Sequence, residues 1–243
     1  MNDLTTTANQ TLPALLRRRA VKSFEPVEIP VALREQLLDA ARHAPSSFNM
    51  QPYRFYWVAS PQQRQAVARL CLSQKPAITA SALVVAVADL GSLRSTARLQ
   101  VAWMRESGFP EDKIRDYART ARIGRIIFKP GPLHLFAVLK WVLFRALNSV
   151  KSMGMPPLTR QDLFNWAIKG TALACQNLMI AAETLGLNTC PMEGFDGPRL
   201  MRYLGLSRKH HEIVMVIAIG RKSPAYVDPP QWRRPLAATV SIL

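Results

Sequence analysis

Residues 159–186 offer one long helix with almost no side left for water. Leu163, Ala167, Ala174, Leu178, Ala181 and Leu185 recur at helical spacing, with further small residues beside them. Thr159-x-x-Asp162 has the form of a capping box with Asp in place of Glu, and Gly186 supplies a helix stop. A helix this long, and apolar on several sides, belongs in a core. The rest of the chain has to pack around it.

The remaining elements are shorter. A first helix is expected over residues 12–19. Pro30 opens a second, with Leu33, Leu37, Leu38 and Ala41 on one face. Ser60-Pro61 reads as an N-cap followed by a first-turn proline, opening a helix that runs through Cys71. Residues 53–58, 83–88 and 213–219 are short, apolar and rich in strand formers, the last ended by Gly220. Asp196-Gly197-Pro198 starts one more short helix, ended by Gly205. Helix, helix, strand, helix, strand, helices, strand is not regular βαβ alternation. At 243 residues the chain can form one domain, with an insertion at about 109–158.

Charge singles out that insertion. The formal net charge is +16, a balance that suits a polyanionic partner, an anionic membrane surface or phosphorylated ligands. Residues 115–151 hold eight Lys/Arg and one Asp, and Arg115, Arg119, Arg122 and Arg125 share one helical face. Leu135, Val138, Leu139, Val142, Ala146 and Val150 then make a wide apolar face, with Lys140, Lys151 and Asn148 opposite and Trp141 and Phe144 beside them. That pattern fits peripheral contact with an anionic membrane, or a helix covering the body or a partner subunit. The apolar run 133–147 is interrupted by Lys140 and Arg145 and is shorter than the ~20 residues of a membrane span. Cys71, Cys175 and Cys190 show no CxxC or Cys/His spacing, so neither a disulfide framework nor a metal site is expected. The N-terminus lacks the basic-then-apolar order of a signal peptide, and a cytoplasmic protein is expected.

The chemistry-bearing residues are spread over four segments. Arg18, Arg19, Ala20 and Lys22 form a cationic element. Pro45-Ser46-Ser47-Phe48-Asn49-Met50-Gln51-Pro52 is a loop pre-shaped by two prolines, whose polar groups are free to face a ligand or to satisfy local backbone. Cys190-Pro191-Met192-Glu193-Gly194-Phe195-Asp196 and Gln231-Trp232-Arg233-Arg234-Pro235 follow. There is no GxGxxG, P-loop, GxSxG or HExxH, and the four histidines stand apart from obvious partners.

The Arg-Arg-x-x-Lys-x-Phe opening, the Pro-Ser-Ser-x-Asn-x-Gln-Pro loop, the Leu-Gly-Leu-x-Thr-Cys-Pro-Met-x-Gly-Phe-Asp segment and the terminal Arg-x-Pro occur in that order. Together they resemble the nitroreductase family of FMN-dependent oxidoreductases. The resemblance implies an α+β fold, a three-layer sandwich with a mainly antiparallel sheet, in an intertwined homodimer with FMN in clefts between subunits. Arg18 and Arg233 would hold the FMN phosphate, with Arg19 and Ala20 on the ribityl chain or phosphate. Lys22 would sit near the pyrimidine edge as an electrostatic stabiliser. Pro45, Ser46, Ser47, Asn49 and Gln51 would meet the ribityl chain or ring, Gln74 the ring, and Pro191, Met192, Glu193 and Gly194 its N5 side. Trp141 and Phe144 would stack on substrate if the insertion covers the cleft. No side chain is needed as nucleophile: NADH or NADPH would reduce FMN, and a nitroaromatic, quinone or related acceptor would take the two electrons. Ala20 stands where a Ser is common, and Gln231 where a second cation is common. Dehalogenation or flavin breakdown are other reactions within the resemblance. A non-enzymatic basic protein docking on membrane is the rival from another class, with nucleic acid the less favoured target.

Overall fold

A computed structural model describes residues 11–127, 134–150, 152 and 157–242. In chain order the elements are α1 (Thr11–Arg17), β1 (Phe24–Glu25), α2 (Val31–Arg42), β2 (Tyr53–Val58), α3 (Pro61–Leu70), α4 (Lys75–Thr79) and β3 (Ala82–Asp89). Then come α5 (Leu93–Glu106), α6 (Glu111–Ile127), α7 (His134–Val150), α8 (Arg160–Thr184), β4 (Asn188–Met192), α9 (Gly197–Tyr203) and β5 (His211–Lys222).

The strands pair antiparallel. β5 has β3 on one edge and, on the other, β4 followed by β1; β2 lies outside β3. Alternate residues of β3 face opposite ways, and both faces are covered. Leu83, Val85 and Val87 pack with Val67, Ala68, Ala77 and Leu200 from α3, α4 and α9. Val84 and Ala86 pack with Leu37 and Ala41 of α2 and with Cys175 and Leu178 of α8. The result is the expected α+β sandwich of three layers.

α8 is the core helix anticipated above. Thr159 Oγ1 accepts from Asp162 N at 3.1 Å and Asp162 Oδ2 accepts from Thr159 N at 2.8 Å, closing the capping box. Those N–H donors, Thr159's first, hold the Asp162 carboxyl below its ordinary value of 3.8. Gly186, at φ +76°, stops the helix.

Four expectations change. α1 ends at Arg17 rather than Arg19, because the following backbone is claimed by the sheet: Ala20 bridges Thr189 in parallel and Val21 N donates to Thr189 O at 3.0 Å. Gly220 does not end β5, which runs two residues further to pair with β1. A Cβ at Gly220 would stand 3.1 Å from Phe24 Cδ1 and 3.2 Å from Phe24 Cβ, so the glycine permits a close crossing. β1, β4, α4 and α5 were not separated from their surroundings in the sequence. His211 is not isolated: its Nε2 lies 3.4 Å from Asp89 Oδ1, and that buried carboxylate also accepts from Gly91 N at 2.8 Å.

The insertion differs as well. Arg115, Arg119 and Arg122 of α6 are exposed, as the spacing implies. On α7, however, Val138, Trp141, Val142, Leu143 and Leu147 are all exposed, while Phe144 and Asn148 are the half-buried positions among its described side chains. The half-buried positions among those side chains thus lie away from the expected apolar face, and the exposed apolar positions run around the helix rather than along one face. The side chains of Arg125, Leu135, Leu139, Lys140, Val150 and Lys151 lie outside the description, as do residues 128–133. Among the described residues no helix is long and apolar enough to cross a membrane.

Candidate functional site

The cationic segment and the strand after α8 come together. Once Ala20 and Val21 are laid along β4, Lys22 reaches Cys190, its Nζ 3.4 Å from the sulfur. Gln74, at the start of α4, donates through Nε2 to Gly194 O at 2.6 Å and to Cys71 O at 3.1 Å, joining a third segment to this edge. Its donors are spent on backbone, which leaves the amide oxygen free to face a ligand. Met192 is buried in the core, Pro191 is half-buried, and Glu193 and Gly194 are exposed. From the 192–194 turn, then, backbone rather than the Met192 side chain is available outward.

Two buried polar groups at this edge lack a partner among the described residues, the Thr189 hydroxyl and the Nη1 of the charged Arg18. Leaving a charged donor buried and unmatched is costly, typically more than 1–3 kcal/mol. Arg17 instead pairs with Glu183 at 3.6 Å, and Arg19 Nη1 donates to Pro229 O at 3.4 Å. That contact carries the C-terminal arm past the cationic segment, four residues before Arg233. Arg233 itself is exposed and donates to Trp232 O at 2.7 Å.

The 45–52 loop lies elsewhere. Phe48, Asn49 and Gln51 have φ of 55°, 51° and 44°, the left-handed region that side chains with a Cβ disfavour. Part of the loop's polarity is used locally, as sequence reasoning allowed. Ser46 Oγ accepts from Gln51 N at 2.9 Å, and Asn49 Oδ1 accepts from Gln51 Nε2 at 3.0 Å. The Ser46 hydroxyl hydrogen and the Asn49 amide N–H groups remain, while Pro45 and Ser47 are exposed.

Two rulers give the separation of these halves. On α8, Arg17 sits at Glu183, whereas a Cβ at Gly170 would meet Ser46 Cβ at 3.8 Å. These helix positions are about 20 Å apart along the axis. In the sheet, Thr189 pairs with Ile219, which pairs with Ala82, whereas the loop leads into Tyr53 opposite Ala88. That is again about 20 Å. The cationic half and the loop half therefore occupy opposite ends of one protomer.

Trp141 is exposed and Phe144 half-buried on α7, which has no extensive packing against another described element. Sequence reading passed over Phe48, 63% exposed within the loop, and also Gln100 and Tyr117, which contact that loop. No pattern in the sequence marks the last two. Among the described residues no group of His, Cys, Asp and Glu is placed to hold a metal.

With this geometry in view, residues 15–221 match the model of the nitroreductase family. The Synechocystis protein DrgA is 31% identical over 92% of this chain and 88% of its own length. A Thermus thermophilus protein named NADH dehydrogenase is 27% identical over 95% and 97%. The same fold occurs in a protein from Exiguobacterium sibiricum, assigned as a nitroreductase and solved in complex with FMN (TM-score 0.73, 22% identity, 97% of this chain and 98% of that one).

Proposed function

Because the chain belongs to the nitroreductase family, we propose that it is an FMN-dependent oxidoreductase. It would take two electrons from NADH or NADPH and pass them to a nitroaromatic, quinone or related acceptor. Its working form would be a cytoplasmic homodimer, each chain one FMN-binding domain carrying the 109–158 insertion.

The observation that carries this reading is the unpartnered, buried Nη1 of Arg18. A phosphate oxygen is a fitting acceptor for it, because guanidinium forks match phosphate geometry and keep their charge. Arg19 stands beside it, and Arg233 follows four residues after the arm's contact with Arg19. Lys22, braced on Cys190, supplies a positive charge that would favour the more negative, reduced state of the ring. Bound FMN would supply the two-electron exchange itself; the chain's part is to fix it and tune its charge.

The 20 Å separation supports the dimer. On this reading a two-fold axis would set the cationic half of one copy against the loop of the other, so that each flavin is held by both chains. Val227, Trp232, Leu236 and Ile242 stand exposed on the arm, an apolar surface suited to a second copy.

Purified protein is expected to be yellow and to release FMN on denaturation. Under anaerobic conditions NADH or NADPH should bleach the flavin, and a quinone or nitroaromatic should restore it. A colourless, folded protein that neither binds added FMN nor consumes NAD(P)H would overturn the assignment.

A further inference from the structure

Three non-glycine residues in the left-handed region within four positions make an expensive turn, at about 1–2 kcal/mol each. Internal bonds account for part of what holds it: Asn49 N to Ser46 O at 2.9 Å, Met50 N to Ser47 O at 3.2 Å, and Tyr53 N to Gln51 O at 2.8 Å. The carbonyl of Phe48 points away from that set. Its donor is Gln100 Nε2 of α5, at 3.2 Å. The other end of the same amide accepts from the Tyr117 hydroxyl of α6, which also lies 3.9 Å from Met50 Sδ.

The order of these contacts matters. An amide can present either its oxygen or its nitrogen to a neighbour. Phe48 O can only accept, so it turns Nε2 toward itself, and the Tyr117 hydroxyl donates to the Oε1 left on the far side of the amide. Tyr117 is half-buried, and burial pushes its phenol above the ordinary value of 10.0, so it stays a protonated donor at neutral pH. We infer that Gln100 and Tyr117 are positioning residues: Gln100 holds the left-handed turn through Phe48 O, and Tyr117 acts through Gln100. Through them α6, the first helix of the insertion, sets the shape of the loop that faces the flavin and, through the exposed Phe48 ring, the access of a planar acceptor. The flavin part of this inference rests on the function proposed above.

The test uses full-length Q100M, Q100E and Y117F, compared with the parent. Q100E keeps the shape and the acceptor for Tyr117 but loses the N–H donated to Phe48, so a packing role alone would tolerate it. On flavin-free protein, amide exchange across residues 48–51 should speed up in Q100M and Q100E, with melting temperatures close to the parent's. FMN affinity should fall about threefold to tenfold in both, the loss expected for one hydrogen bond. Y117F should show a smaller loss, and the Q100M/Y117F double variant should be no worse than Q100M. Unchanged exchange in folded Q100M, a parent-like Q100E, or additive losses in the double variant would each overturn the inference. Faster exchange with FMN affinity unchanged in every variant would remove the loop from the flavin site, and that result is separate from a failure of FMN binding as such.

Discussion

Along residues 18–22 the backbone is held by the sheet, through Ala20 beside Thr189 and Val21 N on Thr189 O. Along residues 46–51 it is held against its own preferences, with positive φ at three non-glycine positions and side chains from α5 and α6 as braces. The cationic half is therefore formed as soon as β4 and β5 pair, and its unmet need is electrostatic, at Arg18. The loop half meets most of its polar needs internally and stores conformational strain instead. A site built in this way would keep the fixed charge on backbone tied to the sheet and give the adjustable face to a turn that distant residues can tune.

This contrast has graded consequences. Arg18→Ala should weaken FMN about 10- to 100-fold, since charge-assisted hydrogen bonds contribute about 1.5–3 kcal/mol; a flavin fluorescence titration reads it, and unchanged affinity would remove Arg18 from the site. Gly220→Val should drive a side chain into Phe24 and displace β1, costing about 1–3 kcal/mol in urea melts. The cationic half should suffer with it. In the loop the sign reverses. Phe48→Gly should relieve left-handed strain and raise stability by roughly 0.5–1 kcal/mol, while turnover with aromatic acceptors declines. A destabilised Phe48→Gly protein would mean that the turn carries no strain.

The smallest effect concerns α8, the beam both halves share. The folded-state value of Asp162 is lowered, so its capping contribution is complete above the unfolded value of 3.8 and is lost as pH falls through the folded one. Asp162→Asn should therefore differ in stability from the parent at pH 7 and converge with it in acid, once the pH has fallen through the lowered folded-state value. A constant difference across that range would show that ionisation of Asp162 is irrelevant to the cap.

The two halves also differ in how far they could be read from the sequence. α8, its caps and β2 were legible because periodicity, a capping box and strand formers all agreed, whereas the sandwich class came from the resemblance of four motifs to a family. Strand pairing between distant segments was not. β4 contains Pro191, which ordinarily argues against a strand and is tolerated here because β4 is an edge strand. Gly220 looks the same in sequence whether it ends a strand or lets Phe24 cross it. Arg17, Arg18 and Arg19 are alike in type, yet one pairs with Glu183, one is buried without a partner, and one touches Pro229. The motif placed Ser46, Asn49 and Gln51 in one loop, but left-handed backbone at Phe48 and Gln51, unlike that at Asn49, carries no compositional mark. On α7 the half-buried described positions are Phe144 and Asn148, because helical spacing alone does not say which stripe is covered.

A mixed dimer decides whether the flavin sites are shared between copies. One chain would carry Arg18→Ala, the other Ser46→Ala with Asn49→Ala, each with its own affinity tag so that only the mixed species is recovered. If each site joins the cationic half of one chain to the loop of the other, one site receives every substitution and its mate none. The mixed dimer should then bind about one FMN per two chains with parental affinity, although neither parent variant binds FMN tightly alone. Mixed dimers with no tight FMN at all would place both halves of each site in a single chain and contradict the shared-site arrangement.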